Sequence, residues 1–162
     1  MPEPINVSAG SEAVLVLGDA AANANIAGSD GLNLPQMSDI TINNSTGVFR
    51  FKTLDNTAES AVTTPATNQI TLNVVVDSNA FFGTGGAGVD TVVEKGLFGV
   101  SKTKTRVYFN AGFEGTDTSS KFLSGSGFIS GLAPTVNMDS PVWVTPVTIE
   151  VDGDYANSSV SA

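Results

Sequence analysis

In residues 141–152 (PVWVTPVTIEVD) the side chains of Trp143, Val147, Ile149 and Val151 share one parity, while Thr148, Glu150 and Asp152 take the other. Successive side chains of a strand leave opposite faces, so this alternation predicts a half-buried β-strand. Residues 122–130 are its expected partner, with Gly125, Gly127 and Gly131 where a long strand bends or lets another backbone approach. Together, residues 121–153 predict two strands joined by a turn-rich connector and ending in Asp-Gly. No catalytic constellation accompanies this hairpin, which raises the question of what a large β-surface is for.

The rest of the chain follows the same period. Residues 1–11 form a polar arm with two prolines, and residues 12–17 (EAVLVL) a first strand. Residues 18–35, rich in Ala, Asn, Gly and Asp, predict a surface loop rather than a helix. Ile40 and Ile42 alternate with Thr41 in a second strand, and residues 43–47 (NNSTG) predict a hairpin connection. Beyond it Phe49, Phe51 and Thr53 face one way and Val48, Arg50 and Lys52 the other, followed by a turn-rich loop over 54–65. In residues 69–77 the side chains of Ile70, Leu72, Val74 and Val76 make one face. Val75 on the opposite face points to a central strand.

One helix is expected, over residues 89–98, capped by Asp90, with Val89, Val93 and Leu97 on one stripe and Gly99 after its end. The Thr91 to Glu94 spacing is offset from that cap. Residues 102–113 predict a strand with Lys102, Lys104 and Arg106 on one face and Val107 and Phe109 on the other. The fold class is mostly β: two packed antiparallel sheets, a sandwich or barrel, with one flanking α-helix. A single domain over residues 12–153, with a polar tail over 154–162, is long enough to bury roughly 70% of its unfolded surface.

Composition excludes much chemistry. The 162 residues include no Cys and no His, which removes thiolate metal sites, disulfides and every Ser-His or Cys-His arrangement. Seven basic against sixteen acidic residues give a net charge of −9, the wrong sign for a phosphate-neutralising DNA binder. That sign suits ordinary solubility, and it also suits a channel through which DNA slides without sticking. Neither a secretory signal nor an apolar run of membrane-spanning length is found, so synthesis in the cytosol is expected, with no membrane partner.

Asp139, Glu150, Asp152 and Asp154 are the densest acidic group, and solvated carboxylates on a strand face describe them better than a glycosidase pair. Asp152-Gly153-Asp154 lacks the twelve-residue calcium-loop pattern. The glycines of residues 83–88 precede the expected helix without a Gly-Lys-Ser/Thr ending, so flexibility explains them better than a phosphate site. No cofactor, metal or catalytic residue is expected. Phe81 and Phe82, in a glycine-rich loop over 78–88, either enter the core or dock on a neighbour. Lys102, Lys104 and Arg106 hold nearly half of the basic charge, which suggests complementarity between copies of an otherwise acidic chain.

This layout resembles the tail tube proteins of long-tailed bacteriophages. The similarity is carried by residues 51–60 (FKTLDNTAES), 69–76 (QITLNVVV) and 125–153 (GSGFISGLAPTVNMDSPVWVTPVTIEVDG), and spans about residues 40–153. The first 36 residues and the long glycine-rich loop depart from it. The resemblance implies a non-enzymatic virion protein whose six copies close into rings that share one inner barrel. The rings stack into a tube, contact other tail proteins, and pass genomic DNA without specific binding. On that reading Phe81, Phe82, Lys102, Lys104 and Arg106 are candidate subunit contacts, and Glu150 and Asp152 candidate acidic lumen residues. The rival expectations are another virion β-protein, such as a capsid decoration or tail-terminator subunit, and a soluble carbohydrate-binding β-sandwich.

Overall fold

The computed structural model describes residues 13–20, 24, 31–34, 37–85, 91–113, 121–139 and 141–159. The elements in chain order are β1 (Val14–Gly18), β2 (Leu32–Asn33), β3 (Met37–Phe51), β4 (Ser60–Val75), α1 (Ser78–Phe82), α2 (Val92–Thr103), β5 (Val107–Gly112), β6 (Lys121–Leu132), β7 (Val144–Val151) and β8 (Ala156–Ser159). The eight described strands belong to one antiparallel sheet, not two, in the order β2-β1-β5-β6-β7-β4-β3 with β8 on β6. The chain is thus mostly β, as its periodicity predicts.

Registers convert the period-2 pattern into rows. Ile42, Ile70, Ile149 and Ile129 stand side by side across β3, β4, β7 and β6, and Ile40, Leu72, Val147 and Leu132 form the next row. Ile70, Ile149 and Val147 are fully buried, and each contributes roughly 1.5–3 kcal/mol of burial free energy. The same core takes in Leu15 and Leu17 from β1 and Val107, Phe109 and Ala111 from β5. Phe81 of α1 and Val92, Leu97 and Val100 of α2 also enter it, so the helices serve the apolar face of the sheet. Gly125 keeps β6 close to that core, since a Cβ there would stand 2.9 Å from Phe109 Cζ.

The predicted hairpin of residues 121–153 is present as β6 and β7, paired from Gly127 with Val151 to Leu132 with Val147. A bulge at Ser130 shifts the register between Ile129 and Gly131. β8 then pairs with the N-terminal half of β6, inside the stretch expected to be a polar tail. Asp152 donates its backbone N–H to Ser126 O at 2.8 Å, so β7 and β8 track one edge of β6 with residues 152–155 bulging out between them.

Several local expectations are corrected. Residues 43–47 do not turn but lie inside β3, paired with β4 from Asn43–Gln69 to Thr46–Ala66. The turn lies between Phe51 and Ser60, where Asn56 N–H bonds Thr53 O at 3.2 Å and the Asn56 side chain accepts from Ala58 N–H at 3.1 Å. Half of the expected 54–65 loop is therefore strand. Pro65 fits there because the register shifts beside it, opposite Gly47. The expected strand over 102–113 begins only at Val107. Lys102 closes the last turn of α2, and Lys104 caps it in the left-handed conformation at φ 55°. The Lys-Thr-Lys-Thr-Arg alternation imitates a strand, but the apolar stripe Val92, Leu97, Val100 draws the segment onto the core as helix.

The described residues also form two helices rather than one. α1 forms within the expected glycine-rich loop because Asp77 caps it, accepting from Ala80 N–H at 3.1 Å. α2 starts from Thr91 with a reciprocal Thr91–Glu94 capping box, contrary to the offset expected; Asp90 and Val89 lie outside the described residues. It breaks at Gly96 (φ 67°), where a Cβ would lie 2.6 Å from Phe81 O, so only glycine lets α1 come this close.

Candidate assembly surfaces

Alternation leaves the opposite face of β3, β4, β7 and β6 polar. Its rows are Asn43, Gln69, Glu150 and Phe128; then Thr41, Thr71, Thr148 and Gly131; then Asp39, Asn73 and Pro146. These rows contain no Lys or Arg. Their two carboxylates are held against the sheet by amides. Gln69 Nε2 donates to Glu150 Oε1 at 2.7 Å, and Asn73 Nδ2 donates to both Asp39 oxygens at 3.0 and 2.8 Å. Glu150 thus stands where its parity puts it, on the polar face.

Asp152 lies past the end of β7, in the bulge. It meets Arg106 at 2.6 Å, with both side chains about half exposed, and the Arg106 guanidinium lies 5.5 Å from the centre of the Phe128 ring. Arg106 is therefore engaged within its own chain, while Lys102 and Lys104 are exposed at the end of α2. The three basic residues do not share a strand face. Asp139, in the β6–β7 connector, lies apart from the other carboxylates of the expected acidic group, and no group of three or more metal-ligating side chains exists among the described residues. Nor is any described helix long and apolar enough to cross a membrane.

The two adjacent phenylalanines separate. Phe81 is buried, with its ring 5.8 Å from that of Phe98, whereas Phe82 is 64% exposed and stands edge-on to Phe81 at 4.9 Å. Trp143, expected to point inward with Val147 and Ile149, precedes β7 and is half exposed. Its carbonyl accepts from Val76 N–H at 2.8 Å.

A further exposed feature follows from the position of the β3–β4 turn, between Phe51 and Ser60. β4 pairs with β7 only over Gln69–Val75, so β3 and β4 run on together beyond the sheet as a two-stranded ribbon. In it Val48, Phe49, Phe51 and Val62 are exposed. At the root of the ribbon Tyr155 is inserted from the β7–β8 bulge. Its hydroxyl lies 2.8 Å from Asn43 O and 3.2 Å from Gln69 O, while its ring meets Phe109 edge-on at 6.1 Å. Burial pushes the Tyr155 hydroxyl above its usual pKa, partly offset by the hydrogen bond to the Gln69 backbone. Asn68 Nδ2 adds a second tie, to Gly153 O at 2.8 Å. Beside Tyr155, a groove of about 520 Å³ is lined by Ile40, Ile42, Asn44, Phe113 and Leu123.

No family model matches the chain, and no curated protein matches it in sequence. Solved structures match over nearly its whole length. The chain is similar to a protein from the tail of an empty gene transfer agent particle with C6 symmetry, at 7% identity and a TM-score of 0.65, covering 94% of this chain and 100% of that one. The SPP1 tail tube aligns at 10% identity and a TM-score of 0.63, covering 96% of this chain and 81% of that one. A chain of the sheath–tube complex of an extracellular contractile injection system in the extended state aligns at 13% identity and 0.58, covering 98% and 94%. At such identities the likeness is one of fold, and the fold is that found in tail tubes.

Proposed function

We propose that this chain is the structural subunit of a virion tail tube, made in the host cytoplasm and assembled from copies of itself. Six copies close a ring, rings stack into a hollow tube in contact with other tail proteins, and DNA passes through without specific binding. The observation that carries this reading is a tail-tube fold matched over 94% to 98% of the chain. Surface chemistry supports it. β3 ends the sheet, and an unpaired strand edge of such length is a liability that ring closure removes. The polar face has the chemistry of a channel wall: hydroxyls, amides and amide-held carboxylates that repel phosphate, with the Arg106 cation beside Phe128 already paired to Asp152.

In this reading Glu150 belongs to the lumen wall. Asp152 stands at its rim, tied to Arg106. Phe82, Lys102 and Lys104 are contact residues between copies, while Phe81 holds α1 on the core. The role is mechanical rather than catalytic. Electron microscopy of the purified protein tests it: hollow tubes or six-fold rings are expected, and strictly monomeric particles at every concentration and salt would overturn it.

A further inference from the structure

Residues 152–155 leave the ladder between β7 and β8, and they include Asp152-Gly153, the one Asp-Gly junction among the described residues. The bulge opens that junction to chemistry between its own atoms. The Asp152 side chain is 52% exposed. Gly153 takes φ 93°, and a Cβ built on it would meet nothing within 4 Å among the described residues, so neither a side chain nor a neighbour fills the space beside the linking peptide. Other aspartates are less open to it. Asp77 accepts from Ala80 N–H as the cap of α1, Asp39 is held by Asn73 and precedes the branched Ile40, and Asp154 precedes the bulky Tyr155.

We propose that Asp152-Gly153 is a modification site, where the main chain isomerises spontaneously to an isoaspartyl linkage and so releases the Tyr155 clamp. The step needs water alone. The Gly153 nitrogen attacks Cγ of Asp152 in its carboxylic acid form. The N–Cγ bond forms, the Cγ–OH bond breaks, and the hydroxyl leaves with the amide proton as water, giving a five-membered succinimide. Water then adds to either ring carbonyl. Addition at Cγ breaks the new bond and restores aspartate. Addition at the Asp152 backbone carbonyl breaks the original peptide bond, which leaves the chain linked through Cβ and Cγ, with a free α-carboxylate and unchanged mass. Arg106 restrains the first step, because the carboxylate it holds at 2.6 Å must be released before it can lose its hydroxyl.

The consequence follows from what ties the bulge down. Asp152 N–H donates to Ser126 O and Asn68 Nδ2 donates to Gly153 O, both at 2.8 Å. An isoaspartyl link inserts one more main-chain atom between these two anchors, so they no longer fit together. Tyr155, two residues on, then loses its place against Asn43 O and Gln69 O at the root of the ribbon.

Incubating the purified chain in warm neutral buffer, beside a synthetic peptide of residues 148–157, tests the assignment. Electron-transfer fragmentation in a mass spectrometer distinguishes the two linkages. Residue 152 of the folded chain is expected to convert within about tenfold of the peptide rate, because the bulge is open, and to convert faster still in Arg106→Gln. Asp152→Glu keeps the charge but would need a less favourable six-membered ring, so that variant is expected to stay normally linked. In the isomerised fraction, separated by ion exchange, backbone amides at the ribbon root are expected to exchange about tenfold faster than in the unmodified chain. A folded chain that stays normally linked at residue 152 while the peptide converts would overturn the site. Isomerised protein with unchanged exchange at the ribbon root would overturn the release of the clamp.

Discussion

The two halves of the β3–β4 hairpin use the same backbone pairing for different ends. In the root, Ile40 and Ile42 face Leu72 and Ile70, with β7 alongside and the core beneath. In the tip, Val48, Phe49 and Val62 sit on a ribbon that nothing flanks among the described residues. A two-stranded hairpin alone is marginal in water, and a folded chain gains nothing by exposing phenylalanines on one. The contrast teaches that burial within one copy explains the root but not the tip.

A single chemical change placed in both halves gives the sharpest separation. Ile70→Asp is expected to unfold the chain, since a buried carboxylate without a partner costs several kcal/mol. Val62→Asp is expected to leave circular dichroism and the melting temperature of the unassembled chain nearly unchanged. Equal losses at both sites would show that the tip is packed within the monomer. Phe81 and Phe82 repeat the contrast between neighbours in α1. Phe81→Ala is expected to cost about 3–5 kcal/mol in denaturant titrations, and Phe82→Ala less than about 0.5 kcal/mol.

Tyr155 stands at the boundary between the halves, so its loss sharpens the comparison. Tyr155→Phe is expected to cost about 0.5–1.5 kcal/mol and to loosen the ribbon root more than the core. Its raised pKa also gives a pH signature. The folded state holds the phenol neutral, so its stabilisation is complete below the ordinary value of 10.0 and is lost as pH rises through the higher folded value. Melting temperatures measured between neutral and strongly alkaline pH are expected to fall less steeply in Tyr155→Phe than in the natural chain; an identical fall would assign the alkaline loss elsewhere. The smallest effect is expected at Asp152→Asn, within about 1 kcal/mol and fading with salt, because the Arg106 pair is half exposed.

What was legible in the sequence was whatever repeated with period two over a buried row. Ile149, Val147, Ile70 and Leu72 alternate cleanly, and their strands, pairing and parity follow from that alternation. Glu150 reaches the polar face by the same logic. The ribbon was hidden because residues 43–47 carry turn-forming side chains in a strand exposed on both faces, where no core enforces apolar alternation. The basic strand was misread because Lys102, Lys104 and Arg106 alternate across the end of a helix, through a left-handed cap, into the approach to β5. No local signal marks Tyr155 as a clamp, since its partners lie 112 and 86 residues away. Trp143 obeys strand parity but precedes the strand.

Hydrogen exchange compared between unassembled and assembled protein probes the root–tip contrast most directly. Backbone amides of residues 44–68 are expected to exchange at least about tenfold more slowly in the tube than in the free chain, with the amides of Gln69–Val75 and of β7 little changed. Equal exchange of the ribbon amides in both states would contradict the claim that the exposed tip is completed by another copy.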